Sequence, residues 1–136
     1  MLTRITLATF ALATIGFGQT INTVPPNQTS PTSGKAMFTE YCAVCHGQDA
    51  KGGGPAATAL KKKPTDLTQL SAHNGGKFPD SRVARYIEGD DTLASHGSRD
   101  MPIWGDVFKS LSKDQNITRM RVSNLTAYIK SLQAIK

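Results

Sequence analysis

The chain has 136 residues, enough for one domain of ordinary size and short for two. Apolar residues make up 38%, a thin core for this length; charged residues make up 19% with no long single-sign run, which excludes full disorder and a nucleic-acid arm. The net charge of +6 points instead to acidic partners or an anionic surface.

Residues 1–18 have the pattern of a signal peptide. Arg4 supplies the positive start, Ile5 to Phe17 the apolar stretch, and Gly16-Phe17-Gly18 a small-x-small cleavage site. An uncleaved membrane anchor is the rival reading, but the stretch is shorter than a span of about 20 residues and is interrupted by Thr3, Thr6, Thr9 and Thr14. Export to the periplasm or beyond is therefore expected. Residues 19–33, QTINTVPPNQTSPTS, offer little to bury and read as a disordered or extended tether, with the folded domain spanning 34–136.

Ser33 suits the N-cap of a first helix. Phe38, Tyr41, Cys42 and Cys45 recur at i, i+3, i+4 and i+7, and Gly47 ends the run, which places both cysteines on the buried stripe. The glycine-rich and then basic stretch 48–63 reads as loop, with one helical turn at Ala56 to Leu60. A second helix is predicted from Asp80 to Glu88, capped by Asp80, with Val83, Tyr86 and Ile87 inward and Gly89 as its stop. The last runs from about Ile117 to Gln133: Val122, Leu125, Tyr128, Ile129 and Leu132 form its apolar face, and Arg119, Arg121 and Lys130 its solvent side. No stretch alternates over a strand length, so the fold class is all-α, with three to four helices.

The chemistry concentrates in Cys42-Ala43-Val44-Cys45-His46, a CxxCH motif that chance yields in roughly 3 of 10,000 chains of this composition. At i and i+3 on a helix the two thiols share a face, so both can add to the vinyl groups of one haem c while the next residue, His46, aims its imidazole at the iron. A covalently held porphyrin would also compensate for the thin apolar composition. Three other readings fit less well. A disulfide here closes a loop too short to stabilise much, a thioredoxin-like site wants a sheet behind it, and a zinc site wants a second ligand pair.

The second iron ligand must come from elsewhere. Met37 shares the motif's helix and Met120 falls on the last one, whereas Met101 lies in the loop sequence DMPIWG, where Pro102 biases it toward an extended, stiff presentation. Met101 is the candidate; its thioether would favour ferrous iron and raise the potential. His96 is the rival, giving two histidine ligands and a lower potential, and His73 is a weaker one.

From Gly34 onward the chain resembles the class I, single-haem cytochromes c of bacteria, with landmarks in order: Gly34 and Phe38, CAVCHG, a Gly/Pro loop, DMPIWG and NLTAYIKSLQ. The resemblance implies that the first and last helices cross near Gly34, with Phe38 against Tyr128. It further implies that the carbonyl of Pro55 accepts the ring N–H of His46 and fixes its orientation. Trp104 is either a donor to a haem propionate or a packed aromatic, and Lys77, Arg82, Arg85 and Arg99 are possible propionate partners or solvated charges.

The implied function is one-electron transfer by a carrier with both axial positions filled, not an enzyme. The alternatives are a five-coordinate haem peroxidase or gas-binding protein, and a fixed subunit of a dehydrogenase or oxidase. Lys51, Lys61, Lys62 and Lys63 can steer redox partners that have acidic docking surfaces, or merely keep the surface soluble. A monomer that binds no nucleic acid is expected.

Overall fold

The computed structural model describes residues 26–89 and 101–134. The predicted signal peptide, His96 and Arg99 lie outside them. No strand occurs among the described residues, and the fold is all-α.

The first helical run has three contiguous parts: α1 (Gly34–Met37), a π-helical segment (Phe38–Cys42) and α2 (Ala43–His46). Ser33 caps it as expected, its Oγ accepting from the Ala36 N–H at 3.1 Å. The π segment changes the predicted stripe. Met37, Phe38, Tyr41, Cys42 and Ala43 are buried, while Cys45 is only half-buried. A π turn takes up more residues than an α turn, so a 3.6-residue period loses phase across it.

Three 3₁₀ turns follow, Ala57–Ala59, Leu67–Gln69 and Ala72–Asn74. The first lies within the helical turn expected at residues 56–60. Helix α3 spans Asp80–Glu88 and stops at Gly89, as predicted. Two details differ. Its N-cap is Pro79, not Asp80, whose carboxylate instead reaches Lys130 at 2.9 Å; and Tyr86 is exposed, leaving Val83 and Ile87 to face the core.

Helix α4 (Trp104–Leu111) begins inside the sequence read as loop, directly after Met101-Pro102-Ile103. Helix α5 (Gln115–Ser131) starts two residues earlier than expected, because the Asp114 side chain accepts the Asn116 N–H at 2.7 Å and caps it. Val122, Leu125 and Ile129 are buried and Arg119 and Lys130 exposed, as predicted. Arg121 is not on the solvent side: it is 4% exposed.

α5 is the hub and packs against α1, α3 and α4. At its crossing with α1, a Cβ on Gly34 would collide with the Asn124 carbonyl oxygen and come within 2.7 Å of the Tyr128 Cβ, so only glycine permits the approach. One turn on, the rings of Phe38 and Tyr128 meet with centroids 5.4 Å apart. The crossing and its aromatic pair are those the resemblance implied. Burying a side chain such as Phe38, 1% exposed, contributes about 1.5–3 kcal/mol.

Residues 27–33, within the stretch read as tether, lie along this crossing as a strap. The Tyr41 hydroxyl donates to the Asn27 carbonyl and accepts from Thr29 Oγ1 at 3.0 Å. Asn124 Nδ2 donates to the Pro31 carbonyl at 2.9 Å, and Arg121 donates to Thr29 twice.

Candidate functional site

Cys42, Cys45 and His46 sit where the π segment gives way to α2. Both cysteines are free thiols, so the disulfide reading fails. They are unequal: burial, with Cys45 close by, pushes the Cys42 thiol up to about 12, which keeps it protonated at neutral pH.

α2 is only four residues long, and its last carbonyls need partners. The glycine-rich loop supplies them. Ala56 N–H donates to the Val44 carbonyl at 2.9 Å, Gly54 N–H to that of Cys45 at 3.0 Å, and Gly52 N–H to that of His46 at 2.7 Å. The backbone must come very close to do this: a Cβ on Gly54 would lie 2.5 Å from the carbonyl oxygens of both Ala43 and Val44. The GGG run is thus a wrap that holds the motif's helix end.

His46 is half-buried, and its Nδ1 lies 3.0 Å from the carbonyl oxygen of Thr65. This corrects the expectation for Pro55, which sits exposed in the wrap among residues that serve the carbonyls of α2. The acceptor comes from the next loop, because Leu67 N–H bonded to the Ala50 carbonyl at 2.8 Å and the Asp66 cap on Thr68 N–H at 2.9 Å fold Pro64-Thr65 back over the imidazole. With Nδ1 donating to Thr65, Nε2 carries the lone pair. Burial lowers the His46 pKa from 6.5, partly opposed by the Thr65 bond, so the ring is neutral at pH 7, the form that ligates a metal.

Met101 is half-buried at the approach to α4 and packs against the core, as do Leu67, Leu70 and Trp104. Trp104 belongs to an aromatic cluster, its ring 5.4 Å from that of Tyr41 and 6.2 Å from that of Phe108. His73 is exposed on the Ala72–Asn74 turn. Lys51, Lys61, Lys62, Lys63, Lys77, Arg82 and Arg85 are exposed, and none is in an ion pair among the described residues.

Two thiols three residues apart, followed by a neutral imidazole with its Nε2 lone pair, form a donor set that fits haem c, and Met101, Leu67, Leu70 and Trp104 add half-exposed apolar side chains packed on the core. Soft and borderline ligands suit the iron, and the apolar side chains suit the porphyrin faces. Among the described residues no group of three or more His, Cys, Asp and Glu side chains is arranged to hold a metal ion.

Sequence reasoning missed Thr65, Arg121 and Gln133. Gln133 holds the loop beside the site, accepting from Ser71 N–H at 2.8 Å and donating to the Leu67 carbonyl at 2.7 Å. A family model described as Cytochrome c matches residues 31–133. Searches of curated proteins and of solved structures returned no match.

Proposed function

The chain belongs to the cytochrome c family, and from that premise we propose that it is an exported one-electron carrier with a single haem c bound through Cys42 and Cys45 and ligated by His46 and Met101. The family's members are typically electron carriers and not enzymes. The observation that carries the reading is the His46–Thr65 bond: it fixes both the tautomer and the orientation of the imidazole that follows the second thiol.

When bound, haem c supplies a metal that changes charge by one electron. The protein's residues set the conditions for that change. His46 stays neutral and oriented, and the loop wrap keeps the end of α2 from fraying. Met101, entering α4 through Pro102, offers a soft neutral donor that favours the reduced metal. Leu67, Leu70 and Trp104 exclude water.

The proposal extends to residues 1–18 as a signal peptide and to a periplasmic location; no helix among the described residues is long and apolar enough to cross a membrane. It also extends to redox partners with acidic surfaces, steered by the exposed Lys51, Lys61, Lys62 and Lys63.

The test is a visible spectrum of the purified holoprotein, oxidised and dithionite-reduced, for the wild type, Met101→Ala and His96→Ala. A weak sulfur-to-iron band in the far red that vanishes only in Met101→Ala is expected. A band unchanged in that variant, or absent from the wild type, removes Met101 as ligand. Strong carbon monoxide binding by the reduced wild type would replace the carrier with a five-coordinate haem protein.

A further inference from the structure

We infer that Arg121 is a buried positive charge that raises the reduction potential of the site; this rests on the reading above, in which haem is held at Cys42, Cys45 and His46.

Arg121 is 4% exposed on the inner face of α5. Among the described residues all its partners are neutral: Nη1 donates to Thr29 Oγ1 at 3.1 Å and Nη2 to the Thr29 carbonyl at 2.8 Å, while Nε is buried and has no hydrogen-bond partner there. Its Cζ lies 5.9 Å from the centroid of the Phe108 ring. Among the described residues, the ion pairs are Lys109 with Asp106 and Lys130 with Asp80, and Arg121 has no part in them.

Holding the strap does not require a charge. Asn124 does the same work on the Pro31 carbonyl with a neutral amide. A buried cation without a carboxylate is costly, and neutral donors of similar length are available to a sequence at no such cost.

Two ring contacts link the charge to the residue that precedes the motif. The Phe108 ring that carries it lies 5.7 Å from the ring of Tyr41, which directly precedes Cys42. Tyr41 also packs on Trp104, three residues after Met101. Oxidation of the bound metal adds one positive charge. A fixed cation nearby in an apolar, weakly polarisable setting opposes that addition more strongly than an exposed lysine at the same distance, because water and salt do not screen it. The reduced state is favoured and the potential rises.

The experiment is a redox titration of the purified holoproteins, following the visible spectrum, at about 10 mM and about 500 mM salt. Arg121→Gln is expected to shift the midpoint potential downward at both salt concentrations, and Arg121→Lys to restore most of the wild-type value. Thr29→Asp places a carboxylate beside Nη1 and is expected to shift the potential downward too, whereas Thr29→Asn leaves it near wild type. An Arg121→Gln protein with a normal haem spectrum and a wild-type potential overturns the inference, as does a shift in Arg121→Lys equal to that in Arg121→Gln. If Arg121→Gln does not fold, the Thr29→Asp and Thr29→Asn pair decides: equal potentials reduce Arg121 to a clasp. A wild type without covalent haem defeats the functional reading instead, and its spectrum reveals this before any potential is measured.

Discussion

The ring of Phe38 rests 5.4 Å from that of Tyr128, tilted by 52°, and this pair fixes the crossing at which Gly34 meets the backbone of Asn124. Backbone cannot give way as a flexible side chain can. Gly34→Ala is therefore expected to destabilise the holoprotein by about 1–3 kcal/mol, the usual cost of overpacking. Guanidinium unfolding reads this directly, and an unchanged midpoint would mean that the helices cross elsewhere.

Gln133 joins the C-terminal end to the 67–71 loop through its amide, and Ala134 N–H adds a bond to the Thr68 carbonyl at 3.0 Å. Gln133→Ala leaves the Ser71 N–H and the Leu67 carbonyl short of partners in a half-buried setting. A loss of about 1–3 kcal/mol is expected, together with faster amide exchange at Ser71. Unchanged exchange there would show that Gln133 does not restrain the loop.

The pair Asp80–Lys130 is the opposite case. Its side chains are 51% and 55% exposed, so water and salt screen the attraction, and the 2.9 Å contact is expected to contribute no more than about 1 kcal/mol. A double-mutant cycle with Asp80→Asn and Lys130→Gln measures the coupling. A value above about 2 kcal/mol would show that α3 and α5 depend on this pair.

Acid should weaken the fold in two separate windows. Burial holds the His46 pKa below 6.5, so the unfolded chain takes up this proton more readily than the folded one. The resulting stability is complete above 6.5 and is lost as pH falls from there toward the folded value. Metal ligation through the same ring, as proposed, would act in the same direction. Asp66 is held below 3.8, first by the Thr68 hydroxyl, and its contribution fades only as pH falls below that value. Unfolding free energy measured against pH should start to fall near 6.5; a flat profile down to about pH 5 would show that His46 is not protected.

The parts that could be read from sequence were those encoded locally. CxxCH is five consecutive residues, and the apolar face of α5 repeats at Val122, Leu125 and Ile129 with a helical period. Thr65 could not be read, because its role belongs to a backbone carbonyl, which every residue has, brought to His46 by the folding of a loop. Arg121 lies four residues before Leu125 and so on the inner face, but its charge suggested solvent. Trp104, Phe108 and Leu111 recur at i, i+4 and i+7, a helical signal for α4 masked by Pro102 and Gly105, which read as turn residues.

The π segment Phe38–Cys42 has a further consequence for how this helix tolerates changes in length. It contains two exposed residues, Thr39 and Glu40, between the anchors of the α5 crossing and the thiols. Deleting one of them would let the run relax into a plain α-helix, whose i→i+4 turn needs one residue fewer, with its two ends still in phase. Gly34 and Phe38 could then stay against Asn124 and Tyr128 while Cys42 stays inside. The segment therefore acts as a phase adjuster, and a single-residue deletion there should be tolerated better than one in the α-helical turns on either side of it.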